Sequence, residues 1–360
     1  MLYDIIFKIK EKSLKELNGL EIFEIRELVR SICEKDFRGN QLFSFFHKNK
    51  RVDLTKATNL SKDFINKILS VSFINKPEIF KIYKSKSDNT EKYLILFQDN
   101  QLIESVYMEY KNHCSLCIST QSGCRMGCSF CASSKTGLSR NLSVAELLSQ
   151  VYLIEKIKGK NIDNIVLMGV GEPLDNYENV LKFIRIINDT NGRNLSIRNI
   201  TLSTCGIVPK IYDLANENIP INLSISLHNP FQNEREKIMK IAKVYSIDDI
   251  MNVCDYYFRK TGRRISFEYT MIKGSNDSKE YVFKIISLLK GKNCHLNLIR
   301  LNSVNRYKEI SPDDSAVFIF KSFLEKYGIN VTVRKGHGVD IEGACGQLRR
   351  QNIGSSDGVN

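Results

Sequence analysis

The chain contains no apolar run longer than a strand, which argues against a membrane-spanning helix. Its opening residues set Asp4 and Lys8 around a short apolar stretch, so a secretory leader is not supported either, and we expect a cytoplasmic protein. There is no low-complexity tract and no charged tail. The net charge of +13 is spread out: residues 1–100 hold 19 Lys and Arg against 14 Asp and Glu, and the excess continues through the rest. That balance favours a polyanionic partner, although charge alone describes a solvated basic surface equally well. Ten cysteines in a cytosolic chain point to metal binding or catalysis and not to a disulfide framework.

Three of those cysteines stand in the run Cys124-Arg-Met-Gly-Cys128-Ser-Phe-Cys131. Three closely spaced thiolates can hold three irons of a 4Fe-4S cluster, and with no fourth cysteine nearby one iron is left open for a small molecule. In C-x3-C-x2-C proteins that molecule is S-adenosylmethionine (SAM). Gly123 and Gly127 free the loop backbone, and Phe130 precedes the last cysteine, which suits a tight loop around a cluster. The competing reading is a zinc knuckle or a chance cluster, but zinc sites more often come as two C-x2-C pairs separated by a loop.

Hydrophobic periodicity predicts short amphipathic helices over residues 1–90, for example Glu21–Cys33, forming a small accessory domain. Residues 91–112 read as a hairpin linker, two β-rich runs around the turn signal Asp99-Asn100. From residue 113, β-rich runs begin near 115, 164, 199, 219, 266, 295 and 330. Helical stretches alternate with most of them, at 143–157, 178–187, 247–258, 280–289 and 315–327. This is an α/β pattern of parallel strands, predicting a partial (β/α)6 TIM-like barrel over 113–348 with functional groups at the C-terminal strand ends and a short tail over 349–360.

Several strand ends carry groups that a plain core strand does not need. Gly169-Val-Gly171-Glu172-Pro173 allows close backbone approach, and Glu172 can bind an ammonium or ribose hydroxyls. Thr201–Thr204, Ser224–His228 and Asn297–Asn302 deliver polar side chains to the same rim; singly each reads as a cap or turn, together as a cofactor cage. Two further cysteines call for chemistry: Cys117, before the cluster loop, and Cys345, bracketed by Gly343 and Gly346 like a nucleophile on a flexible loop. Cys33, Cys114, Cys205, Cys254 and Cys294 read as buried small hydrophobes.

From about Glu104 to Leu348 these motifs, in order, resemble the RlmN and Cfr family of radical SAM RNA adenine methyltransferases. The resemblance rests on 117–124, the cluster loop, 138–142, 169–174, 202–208, 226–228, 297–302 and the Cys345 loop. It implies one 4Fe-4S cluster on Cys124, Cys128 and Cys131, and two SAM molecules per turnover contacted by Gly171, Glu172, Ser203, Ser226, Leu227, His228 and Asn302. One SAM methylates Cys345. Reductive cleavage of the second gives a 5′-deoxyadenosyl radical, which activates that methyl for addition to an adenine ring carbon that is not itself nucleophilic. Cys117 then resolves the enzyme–RNA adduct through a transient disulfide with Cys345, and Glu104 matches the family's proton acceptor.

The implied substrates are 23S rRNA, at the peptidyl transferase centre, and tRNA at the adenine 3′ of the anticodon. A flavodoxin or ferredoxin would supply electrons to a monomer. Gly171–Leu174 and Gly346–Arg349 resemble the branch that methylates C2, whereas Arg300 resembles the branch that methylates C8 and confers antibiotic resistance; Glu342-Gly343 departs from both. Two other classes stay open: a noncatalytic iron-sulfur RNA-binding protein, and a radical SAM enzyme for peptides or metabolites.

Overall fold

The computed structural model of the chain describes residues 14–135, 137–302 and 311–349, and the backbone of 351–352. The opening residues read for a leader, and most of the tail, lie outside the described residues. No helix among the described residues is long and apolar enough to cross a membrane.

The N-terminal segment is held together by a short parallel pair, β1 (Lys15–Glu16) with β2 (Ser72–Phe73), around helices Ile22–Ser31, Phe37–Phe43 and Lys62–Val71. The first helix starts where Glu21 and Glu24 form a capping box, each side chain taking an otherwise unpaired backbone N–H. Its spacing then turns Ile25 and Val29 onto one buried face. These residues join Phe43, Phe46 and Phe64 in a core continuous with that of the main sheet. The seam runs along helix Val144–Lys158: a Cβ on Gly19 would lie 3.1 Å from the Ala145 nitrogen, and His47 Nδ1 is 3.2 Å from the Tyr152 hydroxyl.

The helical reading of residues 1–90 ends too late. β3 (Glu78–Lys84) pairs antiparallel with β4 (Thr90–Leu96), which pairs across the Asp99-Asn100 turn with β5 (Gln101–Glu109). β3 is an edge strand with exposed Glu78, Phe80 and Lys81, so it lacks the alternating apolar face that marks a half-buried strand. β5 then pairs antiparallel with β6 (Cys114–Cys117).

Beyond β6 the sheet becomes parallel. A small antiparallel ribbon, β7 (Gln121–Gly123) with β8 (Leu138–Asn141), intervenes, and then β9 (Asn164–Leu167), β10 (Ile200–Thr204), β11 (Asn222–Ser226), β12 (Ile265–Met271), β13 (Cys294–Arg300) and β14 (Val331–Arg334) follow in spatial order. β6, which pairs parallel with β9, and β9 to β13 make the six strands of the partial barrel, and β14 extends it after helix Asp314–Lys326. A final strand, β15 (Gln351–Asn352), returns to pair with β5.

The period-2 alternation of these strands divides the molecule into two environments. Leu202, Leu223, Ile225, Phe267, Leu296 and Leu298 belong to the apolar core, all but fully buried. Burying side chains of this size stabilises the fold by roughly 1.5–3 kcal/mol each. The alternate residues, Ser203, Ser224, Ser226, Glu268 and Asn297, line polar cavities inside the barrel. The helices that cover the core start at Ser143, Ser246 and Asp313, each of which accepts a backbone N–H as a cap.

Candidate active site

The β7–β8 ribbon closes the base of the loop that carries the three clustered cysteines. Gly123 has φ +81°, and a Cβ there would meet the Gly137 carbonyl oxygen at 1.7 Å, so only glycine fits. Cys124 N–H donates to that same carbonyl, Cys131 N–H to the Cys128 carbonyl, and Ser129 N–H to the Ile238 carbonyl. Cys124, Cys128 and Cys131 thereby line one cavity of about 160 Å³.

The chemistry of this donor set fits a cationic metal cluster. Burial pushes the Cys124 thiol up to about 12, with Cys131 and Glu172 adding to the rise. Cys128 is pushed up further, by burial and then by Cys131 and Cys124. Thiols that resist ionisation together become ligands only when a positive centre compensates them. Arg235 is fully buried, and its Nη2 donates to the carbonyls of Cys205 and Ser226, two residues that line this cavity. Among the described residues no three His, Cys, Asp or Glu side chains are placed as ligands of a single metal ion.

Gly171, Glu172, Ser203, Ser226, His228 and Asn302 all line the cavity that holds the cysteines. Gly171 has φ +108°, and a Cβ there would sit 2.6 Å from the Gln121 side chain. Glu172 is buried and already accepts the N–H groups of Leu174 at 3.0 Å and Cys205 at 2.8 Å; burial outweighs these bonds and raises its carboxyl above the usual range. His228 accepts the Thr270 N–H on Nδ1, which leaves the proton on Nε2, and burial first and Arg235 second hold its ring down to about 3. Leu227 stands apart from the others. It is core, does not line the cavity, and its carbonyl accepts from Arg235.

A second cavity of about 360 Å³ adjoins the first and contains Cys117, Tyr110 and His337. Met168, Ile299, Arg300, Asn302, Arg334 and Cys345 line both, so they form the shared wall. Cys345 is exposed, whereas Cys117 is buried, with a thiol pushed up to about 12 by burial and next by Cys345.

The loop of Cys345 is anchored on several sides. Asn302 Nδ2 donates to the Cys345 carbonyl at 3.1 Å, Ala132 N–H to that of Gly346 at 2.8 Å, and Ser133 Oγ to that of Leu348 at 2.6 Å. Glu104 completes the anchorage. Its carboxylate accepts the Arg349 N–H at 2.8 Å and pairs with Lys92 at 3.2 Å, and Lys92 also reaches the Glu342 carbonyl. Burial raises the Glu104 carboxyl despite Lys92. Glu104 lines neither cavity; it lies beneath the loop.

Three other residues at the site, Cys205, Glu268 and Arg334, had no distinct signal in the sequence. Cys205, read as a plain buried hydrophobe, lines the cluster cavity. Glu268 accepts from Ser224 at 2.7 Å and Asn297 at 2.9 Å and pairs with Arg334 at 3.2 Å. Arg334 in turn feels the thiols of Cys345 and Cys117. Arg300 pairs with Asp314 at the rim. Each lies on a separate strand or turn, and only the sheet brings them together.

Residues 118–286 match the Radical SAM superfamily. A protein of Finegoldia magna, named probable dual-specificity RNA methyltransferase RlmN, is 50% identical over 94% of this chain and 97% of its own length. A protein of the same name from Clostridioides difficile is 49% identical over 95% of this chain and 99% of its own. Among solved structures, a radical SAM methyltransferase from Sphaerobacter thermophilus superposes with a TM-score of 0.88 at 35% identity, over 92% of this chain and 98% of that one.

Proposed function

This chain belongs to the RlmN family of radical SAM RNA methyltransferases, and we propose that it methylates C2 of adenine in 23S rRNA and in tRNA, carrying the methyl group on Cys345. One observation supports the reading above the others: Cys345 stands on the wall common to two cavities, with three clustered cysteines in one and Cys117 in the other. A group placed there faces the cofactor on one side and the substrate on the other.

Cys124, Cys128 and Cys131 would hold the 4Fe-4S cluster. Gly171, Glu172, Ser203, Ser226, His228 and Asn302 would contact SAM, with Leu227 contributing at most through its backbone. When bound, the cluster and SAM supply the methyl group and the radical chemistry that an unactivated aromatic carbon requires. The protein's residues position and release. Asn302 and the bonds from Ala132 and Ser133 fix Cys345 at the wall, and pre-positioning of this kind supplies a large share of a reaction's rate. Cys117 resolves the base adduct by attacking the Cys345 sulfur: the disulfide forms, the carbon–sulfur pair passes to the methylene carbon, which takes a proton to become the methyl, and a thiol reductant then restores both cysteines. For Glu104, the buried pair with Lys92 favours a role in holding the loop, with proton acceptance as its family-matched role.

Arg300, on the shared wall, favours a second reading, attack at C8 of the same rRNA adenine. The test is to incubate reconstituted enzyme with reductant, a flavodoxin or ferredoxin, labelled SAM and either RNA, then digest to nucleosides. The expected product is 2-methyladenosine; 8-methyladenosine replaces the first reading with the second. Absence of any methylated adenosine overturns both and leaves the two alternatives, a noncatalytic RNA-binding protein and a radical SAM enzyme for peptides or metabolites.

A further inference from the structure

The cavity that Cys117 shares with Cys345 is lined from opposite ends of the sheet. β5 and the residue after it supply Val106, Met108 and Tyr110, which alternate onto one side, and β14 supplies Thr332 and Arg334. The first wall is apolar and aromatic: the Tyr110 hydroxyl reaches the Met108 sulfur at 3.8 Å, and its ring is backed by a parallel His113 ring at 4.5 Å. The second is cationic. Among the described residues no Asp or Glu lines this cavity, which carries Arg300, Arg334 and Lys335. Arg300 is paired with Asp314, and Lys335 is exposed. At about 360 Å³ the space lies within the range of small-molecule pockets, roughly 300–1,000 Å³.

Arg334 is held with donors to spare. Its Nη1 lies 3.2 Å from Glu268 Oε2 and 3.4 Å from the sulfur of Met168, on the wall common to both cavities. Glu268 is itself fixed by Ser224 at 2.7 Å and Asn297 at 2.9 Å. The N–H groups on Nε and Nη2 bond to no protein atom among the described residues, and they are not enclosed, since the side chain keeps 30% of its surface accessible. A guanidinium donates and never accepts, so this fork calls for an acceptor. Adenine combines the two surfaces these walls match: flat faces that stack on aromatic side chains and ring nitrogens that accept hydrogen bonds at the edge. We propose that Arg334 is a substrate-binding residue, donating from Nε or Nη2 to N1 or N3 of the adenine while Tyr110 and Met108 lie against the face of the base. This rests on the reading of C2 as the methylated carbon, because N1 and N3 are the nitrogens that flank C2. A donor there sets which edge of the base meets Cys345.

The test is the affinity of reconstituted holoenzyme for RNA, measured without SAM or reductant so that no chemistry intervenes. The probes are anticodon stem-loops with adenine, 1-deazaadenine, 3-deazaadenine or 7-deazaadenine at the target position. Wild-type enzyme should bind the 1-deaza or the 3-deaza RNA about tenfold more weakly than the adenine RNA, the loss of one hydrogen bond to a charged group, and the 7-deaza RNA equally well. Arg334→Met, which keeps the bulk and removes the donors, should bind all four alike, and Arg334→Lys should restore part of the preference. A Met variant that still discriminates against the same deaza base overturns the proposal, because the two losses then add and are independent. Wild-type enzyme that binds all four alike also overturns it, and should the Met variant not fold, this series decides. A loss confined to 7-deazaadenine, which lacks the nitrogen beside C8, overturns it as well. Digestion of the methylated product then tells the two failures apart: 8-methyladenosine removes the C2 reading, whereas 2-methyladenosine keeps that reading and removes only the role of Arg334.

Discussion

The two adjoining cavities are built in opposite ways. The first takes its three thiols from a single loop on a two-stranded ribbon. The second draws Cys117 from the end of β6 and Cys345 from a loop near the far end of the described chain, and that loop is held by Glu104, Ser133, Ala132 and Asn302. A cluster site needs fixed close spacing, which local sequence can supply. A carrier that serves two compartments must sit where they meet, and only the assembled sheet defines that place.

Substitutions can separate the two halves. The largest effects come from removing either kind of cysteine. Cys124→Ala should abolish the cluster's visible absorbance together with all methylation. Cys345→Ala should abolish methylation equally while leaving the absorbance and the reductive cleavage of SAM. If both variants lose the cluster, the division into a radical-making and a methyl-carrying half fails. Next in size is Glu104→Gln, which leaves Lys92 charged and buried without its partner; a stability loss of about 3 kcal/mol by denaturant unfolding is expected. An unchanged unfolding curve would show that the loop does not depend on that pair.

The last effect is absent at neutral pH and grows only as the medium is acidified. His47, in the helical segment, and His228, at the cluster cavity, are both held down to about 3 by burial. Since an unfolded histidine titrates near 6.5, the unfolded chain binds protons that the fold refuses. Stability is full above that pH and falls as the medium is acidified toward 3, by about 1.4 kcal/mol per pH unit for each ring. His47→Gln should reduce the acid slope by about 1.4 kcal/mol per pH unit without altering cluster binding. A slope that does not change would mean that His47 is protonated in the fold.

The parts of the molecule legible in the sequence are those with a local signal. The cysteine trio reads from spacing alone, and the parallel strands from short β-rich runs between helices. β3 did not read as a strand because its exposed residues carry no alternating pattern, although the sheet still pairs it. The cavity walls were half legible. Gly171 and Glu172 stood out for their context, but Cys205, Glu268 and Arg334 are ordinary residue types whose roles arise from distant elements meeting. Leu227 shows the reverse: adjacent to Ser226 and His228 in sequence, it faces the core because neighbouring positions at a strand end point to opposite sides.

The central claim is that Cys345 carries the methyl group into the cavity of Cys117, and Cys117→Ala tests it most directly. Purified from cells, this variant should carry RNA bound covalently through Cys345, since the adduct forms and cannot be released, and the added change Cys345→Ala should remove the RNA. A Cys117→Ala enzyme that is free of RNA and turns over normally would contradict the account.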